Sequence, residues 1–198
     1  MAFSPQQASM LDKILLACYT KKETTKKSNL QEVFMGIRKA STDDLAAVLA
    51  IYKRAREFMR QTGNPTQWKD SYPPEETVRK DIDTGHLFVW EQKGKLHGVF
   101  AFFREGDPVY DALPVSWLNQ LPYAAIHRVA SAGTQKGMLG ACVDFCLSVC
   151  PNLKIDTHKE NTVMQSALIK QGFTPCGTVN IPNVGERIVY QRSDYDEK

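Results

Sequence analysis

The sequence predicts an α/β domain with a mixed, mostly antiparallel sheet that contains one local parallel pair of strands. Long segments carry apolar residues at the three-to-four spacing of a helix, and shorter segments between them have the runs or alternation of strands. The expected order, β-α-α-β-β-β-α-β-α-β-β, includes one strand–helix–strand crossover. Such a crossover joins parallel strands, whereas short hairpin turns join antiparallel ones.

Residues 1–34 differ in composition from the rest of the chain. The lysine pairs Lys21-Lys22 and Lys26-Lys27 lie among Thr, Ser and Glu, after one short apolar stretch at 10–18. We expect residues 1–34 to be an N-terminal extension and residues 35–198 to form the domain.

The domain is expected to begin with a strand at 37–39 and two helices. The first helix starts near residue 42 and ends before Gly63. Its apolar residues recur every three or four positions: Leu45, Val48, Leu49, Tyr52, Ala55 and Met59. After a loop, the pair Pro73-Pro74 begins a shorter helix that runs to about residue 83.

Three strands follow in the centre of the sequence. The apolar runs 87–90 and 96–103 are joined by Lys93-Gly94-Lys95 and predict an antiparallel hairpin. Residues 106–122 contain three prolines, which predicts a long loop, and 124–131 form the next strand.

The last part of the chain alternates between helix and strand. The turn 133–137 leads into a helix at 138–150, which is followed by a strand at 153–157 and a helix at 161–170. Two final strands, 174–181 and 187–191, are expected to pair antiparallel.

Composition excludes several classes of protein. Hydrophobic residues make up 42% and charged residues 24% of the chain, which is typical of a globular domain and not of a coiled coil or a disordered protein. No run of 18 apolar residues occurs, so we expect no membrane-spanning helix. Residues 1–35 hold five lysines against three acids, so the remainder of the chain is nearly neutral and lacks the basic surface of a nucleic-acid-binding protein.

The cysteines favour a reducing compartment. Their number is five, which is odd, and no paired framework is visible, so we expect a cytoplasmic protein. Cys142, Cys146 and Cys150 fall on one helical face, but no histidine or Cys-x-x-Cys motif stands at ligand spacing. We interpret them as small buried hydrophobic residues and expect no metal site.

Three segments resemble the GNAT superfamily of acetyl-CoA-dependent N-acetyltransferases. They are 126–131 with the turn into Gly137-Met138-Leu139-Gly140, then Asp156 to Asn161, and finally Lys170-Gln171-Gly172-Phe173. The resemblance covers residues 36–192 and implies helices on both faces of a sheet whose parallel pair is splayed around a cofactor cleft. The stretch Asn64-Pro65-Thr66-Gln67-Trp68 further resembles a subgroup of small bacterial acetyltransferases.

The resemblance implies acetyl-CoA as co-substrate, with its pyrophosphate on backbone N–H groups at a helix N-terminus. The family's turn reads Arg/Gln-x-x-Gly-x-Gly/Ala, whereas this chain has Thr134 and Leu139 at its first and last positions. A second register, Gln135-x-x-Met138-x-Gly140, keeps the first and last residue types. The implied cofactor-binding residues are Val129, Ala130, Ser131, Lys136, Gly137, Met138, Leu139, Gly140, Asn161 and Leu168, the last at the position of the family's tyrosine acid.

An amine must lose a proton when it attacks the thioester, so a general base is required. His127 is the first candidate, because it lies on the strand before the cofactor turn and imidazole ionises near neutral pH. Strand alternation predicts that His127 and Arg128 face opposite sides of the sheet. Glu91, at the end of its strand, is the second candidate. Phe58 and Trp68 are candidates for the wall of the acceptor pocket.

The sequence therefore favours an acetyl-CoA-dependent N-acetyltransferase whose partner is a small-molecule amine or amino-acid-like acceptor. The alternative is a catalytically weakened GNAT-like module that binds acyl-CoA or another protein, because Thr134, Leu139 and Leu168 depart from the family pattern. A third hypothesis is a nucleic-acid or ribosome-associated role through the lysine-rich extension. We expect neither a membrane nor a nucleic-acid partner, and homodimerisation remains an open option.

Overall fold

The structure, a computed structural model, describes residues 36–181 and 184–195. The predicted N-terminal extension, residues 1–34, lies outside the described residues. A short 3₁₀ turn at Thr42–Asp44 precedes the first helix. The strands and helices, in chain order, are β1 (Ile37–Lys39), α1 (Leu45–Gln61), α2 (Glu75–Asp83), β2 (Leu87–Gln92), β3 (Lys95–Phe103), α3 (Pro108–Asp111), β4 (Ala124–Ser131), α4 (Met138–Val149), β5 (Asn152–Thr157), α5 (Thr162–Lys170), β6 (Thr174–Ile181) and β7 (Gly185–Ser193).

The strands form one seven-stranded sheet in the order β1-β2-β3-β4-β5-β7-β6. Every neighbouring pair is antiparallel except β4 and β5, which α4 connects as a crossover. The predicted fold class, a mixed and mostly antiparallel sheet with one local parallel pair, is confirmed.

Two helical layers cover the two faces of the sheet, as predicted. On β2, Leu87 and Val89 pack with α1 and α2, whereas Phe88 and Trp90 pack with α4. This period of two follows from the alternation of side chains along a strand. Each face therefore has its own apolar core, and the sheet is buried on both sides.

The parallel pair separates after three residues. The paired positions are Ala124 with Leu153, Ala125 with Lys154, and Ile126 with Ile155. Beyond them β4 continues to Ser131 and β5 to Thr157 without pairing to each other. The resulting gap between the strands is the splay that the sequence predicts, and it opens a cleft in the middle of the sheet.

A bulge in β4 changes the directions of the side chains beside this gap. The register against β3 shifts between Val99 and Ala101, and Arg128 has a positive φ of 53°. A bulge of this kind inserts one extra residue and re-aims its neighbours. The alternation that puts His127 and Arg128 on opposite faces therefore does not apply here, and that expectation is corrected: both side chains line the same cleft.

The long loop expected at 106–122 contains a helical turn, α3. The side chain of Asp107 caps it by accepting a hydrogen bond from the N–H of Val109, 2.9 Å away. Farther along, Leu113, Val115 and Trp117 pack over the end of β6 and β7. In the described part of the chain, no helix is long and apolar enough to cross a membrane.

Candidate active site

A cleft of about 570 Å³ lies where β4 and β5 separate. Its walls come from the α1–α2 loop, the segment 103–110, the bulged part of β4, the end of β5, the start of α5 and the β6–β7 connection. The sequence-predicted residues His127, Val129, Asn161 and Trp68 all line it. The fold thus brings together side chains that are far apart in the sequence.

His127 is hydrogen-bonded to Asp107 at the cleft surface. Its Nε2 lies 3.0 Å from Oδ2 of Asp107, and both side chains are mostly buried. The rings of Phe103 and Tyr110 contact the imidazole at centroid distances of 5.5 and 5.4 Å. The hydrogen bond from His127 lowers the pKa of Asp107, so this carboxyl group is ionised at neutral pH.

A second carboxylate, Asp156, lies at the end of β5 in the same cleft. It accepts a hydrogen bond from the hydroxyl of Tyr110 at 2.6 Å and pairs with Nε of Arg187 at 3.2 Å. Burial and the negative charge of Asp156 raise the pKa of Tyr110 well above its usual value. Tyr110 therefore remains protonated and donates its hydroxyl proton to Asp156.

Arg128 fixes the opposite wall of the cleft to α2. Its Nη2 lies 2.7 Å from the buried carboxylate of Asp81, and its guanidinium lies 5.6 Å from the centre of the Phe103 ring. The positive charge of Arg128 is thus matched within the fold. The bulge that gives Arg128 its positive φ turns it toward this partner.

The stretch Asn64 to Trp68 closes one end of the cleft. Oε1 of Gln67 accepts hydrogen bonds from Asn64 at 2.7 Å and from Asn161 at 2.9 Å. The hydroxyl of Thr66 donates to Glu160 at 2.8 Å. These bonds join the α1–α2 loop to the N-terminus of α5, where Asn161 also caps the helix by accepting from the N–H of Met164.

The turn before α4 leads directly into the N-terminus of that helix. Gly137 is the residue that precedes the helix, with a φ of 91°, and a side chain there would meet nothing within 4 Å. The first N–H groups of a helix have no intrahelical acceptor, so those of Met138, Leu139 and Gly140 are free to bind an anion. Lys136 in the same turn is exposed.

Two side chains from outside the turn contact it. The guanidinium of Arg54, on α1, covers the α-carbon of Gly133 in the space that a β-carbon would occupy. Nδ1 of His97 lies 2.8 Å from the hydroxyl of Thr134. In the segments that the structure describes, Arg54 has no acidic partner, so its charge is available beside the turn.

Thr157, the last residue of β5, lines the cleft, and its buried hydroxyl has no partner among the described residues. Only 1% of the residue is exposed, and its Oγ1 has no hydrogen bond to any described residue. A buried hydroxyl without a partner carries a desolvation cost. The hydroxyl of Thr157 is therefore a hydrogen-bonding group beside the cleft that the described residues leave unused.

Ten of the fourteen sequence-predicted site residues do not line the cleft. Six of them lie at the last position of β4 or in the turn into α4, and the other four lie elsewhere. Glu91 is bound by Arg38 at 2.7 Å near the edge of the sheet, because β2 lies next to the edge strand β1 and is separated from β4 by β3. Phe58 is half exposed on α1, where its neighbour Met59 lines the cleft instead. Leu168 is fully buried in the core under α5, and Ala130 packs against the α1–α2 layer.

Of the residues predicted to form the cofactor-binding turn, some are exposed and others pack in the core. Lys136 and Gly137 are exposed, whereas Met138 is buried against Gly98 of β3 and Leu139 packs against the same core. The hydroxyl of Ser131 accepts a hydrogen bond from the N–H of Gly133. Gly140 lies opposite the side chain of Gln171. These last four residues therefore shape the turn through their contacts with the core and with neighbouring backbone.

Sequence reasoning missed Asp107, Tyr110 and Arg187. Asp followed by proline is a signature of a helix start, so the pair Asp107-Pro108 carried a signal for α3 inside the expected loop. No local pattern marks Tyr110 or Arg187, since each reaches the cleft only through tertiary packing.

Comparison with solved structures places the fold among known acetyltransferases. The chain is similar to a GNAT-family acetyltransferase from Streptococcus agalactiae, with 29% identity, a TM-score of 0.71, and coverage of 82% of this chain and 95% of the other. It is also similar to a putative acetyltransferase from Staphylococcus aureus, with 23% identity and a TM-score of 0.59. That match covers 79% of this chain and 97% of the other. A third similar structure is a ribosomal-protein-alanine N-acetyltransferase from Brucella melitensis, with 18% identity and a TM-score of 0.55. That match covers 79% of this chain and 98% of the other. Neither a scan against protein-family models nor a search of curated proteins finds a match.

These neighbours define an acyltransferase fold. The chain has the fold of the GNAT family, and the resemblance that its sequence shows over residues 36–192 is confirmed. The subgroup suggested by the Asn64 to Trp68 stretch stays a prediction. GNAT-family acetyltransferases use acetyl-CoA, and the neighbours support an acyl-CoA-dependent transferase activity in general terms.

Proposed function

We propose that this protein transfers an acetyl group from acetyl-CoA to a small amine or amino-acid-like acceptor, by direct attack of the amine on the thioester. The observation that carries the proposal is the His127–Asp107 pair, which lies in the cleft opened by the splayed strands of a GNAT fold. A base at that position meets the requirement that the amine lose a proton as it attacks.

The cofactor side of the cleft is assigned to the gap between β4 and β5 and to the turn before α4. The free N–H groups of that turn suit a pyrophosphate, and the nearby Arg54 and Lys136 add positive charge where Thr134 lacks it. The unpartnered hydroxyl of Thr157 offers a hydrogen bond inside the gap. When bound there, acetyl-CoA supplies an activated acetyl group with a thiol as its leaving group.

The acceptor side is assigned to the face with the α1–α2 loop, α3 and the β6–β7 connection. Asp107 gives that side a carboxylate beside His127, and its negative charge attracts an ammonium group toward the base. Both arginines of the cleft, Arg128 and Arg187, are already paired with acids. This balance of charge favours an amine acceptor.

The family's tyrosine acid is replaced by Leu168, which cannot donate a proton. A thiolate is a good leaving group, because an unperturbed thiol has a pKa of about 8.5. Loss of this acid is therefore expected to slow the reaction and not to prevent it.

The competing function is a binding module that holds acyl-CoA without turnover. Two assays separate it from an enzyme: thermal shift with acetyl-CoA and with desulfo-CoA, and then thiol release over a panel of small amines. Stabilisation together with amine-dependent thiol release supports the transferase. Stabilisation without release supports the binding module, and no response to either ligand contradicts both.

A further inference from the structure

We infer that Asp107 is a positioning residue that holds neutral His127 as its Nε2–H tautomer and so makes Nδ1 the atom that accepts the proton of the attacking amine. This inference rests on the proposed function. It adds to that proposal Asp107, which lies outside β4, together with the tautomer of His127 and the ring atom, Nδ1, that accepts the proton.

The geometry of the pair determines the tautomer. Oδ2 of Asp107 lies 3.0 Å from Nε2 of His127, which is a hydrogen-bond distance. An ionised carboxylate only accepts, so the proton of this bond belongs to Nε2. A neutral imidazole with its proton on Nε2 has its lone pair on Nδ1. None of the described residues forms a hydrogen bond with Nδ1, which leaves that lone pair for a substrate.

The aspartate is itself held in place from two directions. Its Oδ1 accepts the N–H of Val109 at 2.9 Å, and its backbone carbonyl oxygen lies 2.8 Å from the hydroxyl of Tyr123. Pro108 fixes the backbone that follows. Asp107 can therefore orient the imidazole without moving, which is what a positioning group requires.

The ring of His127 is also confined by its neighbours. Phe103 meets it edge-on, with an interplanar angle of 75°, and Tyr110 lies against it at 37°. Only 17% of the His127 side chain is exposed. These contacts restrict rotation of the ring, so the hydrogen bond to Asp107 and the open Nδ1 persist together.

Other charged and titratable groups surround the pair on the elements that pack against it. Those that line the same cleft are Arg128 on β4, Tyr110 on α3, Asp156 on β5, Arg187 on β7, and Lys69 and Tyr72 in the α1–α2 loop. Asp156 is occupied by Tyr110 and Arg187, and Arg128 by Asp81. Asp107 is therefore the carboxylate that is bonded to the imidazole.

The transfer balances as follows. The acceptor nitrogen forms a bond to the acetyl carbon, the carbon–sulfur bond breaks with its electron pair on sulfur, and the amine proton goes to Nδ1. The imidazolium that results donates from Nε2 to the negative charge of Asp107, which stabilises it. Its extra proton is then returned to the thiolate or to water.

The tautomer can be measured on the full chain without any substrate. Imidazole nitrogen NMR distinguishes a protonated ring nitrogen from one with a lone pair, and His127→Gln identifies the signals of His127 among the four histidines. We expect a protonated Nε2 and a bare Nδ1 at pH values where the ring is neutral. A bare Nε2 with a protonated Nδ1 overturns the inference.

Asp107→Asn tests the role of the carboxylate, because an asparagine can donate to Nε2 and so favour the other tautomer. We expect the tautomer signals to shift and kcat to fall at least tenfold, with an altered pH profile and an unchanged KM for acetyl-CoA. Asp83→Asn is the control, since that carboxylate is exposed at the end of α2 and does not line the cleft. Its tautomer signals should match those of the wild type.

Two results would contradict the catalytic role. If Asp107→Asn shifts the tautomer but keeps kcat within threefold, Nδ1 is not the proton acceptor. If neither tautomer nor rate changes, Asp107 does not position the ring. The failure of the proposed function looks different: no amine is acetylated by any variant, the wild type included, whatever the tautomer.

Discussion

Gln67 and Asn161 are hydrogen-bonded at 2.9 Å, although 94 residues separate them in the sequence. The bond joins the α1–α2 loop on the acceptor side to the residue that caps α5 beside the cofactor gap. Gln67 also accepts from Asn64, so one carbonyl oxygen organises the loop and anchors it across the end of the cleft.

Gln67→Ala is expected to loosen the loop. Two hydrogen bonds are lost and the donors of Asn64 and Asn161 are left without this acceptor, which should cost about 1–3 kcal/mol of unfolding free energy. Urea denaturation measures the loss, and KM for the acceptor should rise with it. Gln61→Ala, an exposed glutamine at the end of α1, is the matched control. Equal stability in the two variants would show that the bridge contributes nothing.

Thr157→Val separates a ligand-binding hydroxyl from a structural one. Valine has nearly the same shape, and the hydroxyl it replaces is buried without a partner, so the free protein should be as stable as the wild type or up to about 1 kcal/mol more stable. The affinity for desulfo-CoA, measured by calorimetry, should fall. The same change at the exposed strand residue Thr178 should leave that affinity unchanged. A large loss of stability at position 157 would instead mean that the hydroxyl is bonded within the fold.

Much of the fold follows from periodicity in the sequence. The helices α1, α2, α4 and α5 and the strands β2 to β7 begin and end within a few residues of their predicted positions, because apolar spacing and glycine or proline boundaries are local signals. The splay of β4 and β5 came from the family resemblance. The bulge at Arg128 was missed, since nothing in the local sequence marks an arginine for a positive φ.

The site was harder to predict than the fold. The sequence predicts His127 because it lies on the strand that leads into the cofactor turn, and the structure places it in the cleft. Its partner Asp107 is on a segment that reads as a loop. Phe58 and Glu91 were also predicted as site residues, but the structure places them outside the cleft. Their side chains have a suitable chemistry for a site, but their positions depend on the tertiary structure. Phe58 is on an exposed side of α1, and Glu91 is on β2, next to the edge strand β1.

Arg54→Ala is expected to weaken cofactor binding by about tenfold, which corresponds to about 1.4 kcal/mol. The guanidinium lies over Gly133 in the turn and has no acidic partner in the described ranges, so its charge is available to a bound phosphate. Calorimetry with desulfo-CoA at two salt concentrations measures the change, which should shrink at high salt. Lys53→Ala, the neighbouring exposed cation, is the control. Equal effects from both variants would point to net charge alone.

His158 should make the fold sensitive to mild acid. Burial, and then the positive charge of Arg187, lower the pKa of His158 below its usual value of 6.5. The folded state thus binds this proton less readily than the unfolded state, so stability is lost as pH falls from about 6.5 through the lowered pKa. In melting curves between pH 8 and pH 5, His158→Gln should flatten this decline, whereas His86→Gln should retain it. A decline that is equally steep in the wild type and in His158→Gln would contradict the prediction.

His127 is proposed as the base of an amine acetylation reaction in this cleft. The most direct test is the rate at which acetylated amine and free CoA appear together, measured by mass spectrometry for the wild type and for His127→Ala at saturating acetyl-CoA. We expect the wild type to form equal amounts of the two products. In His127→Ala, kcat should be lowered by a factor of about 10²–10⁴, with the affinity for acetyl-CoA unchanged. A variant that acetylates the same amine within threefold of the wild-type rate would contradict this proposal.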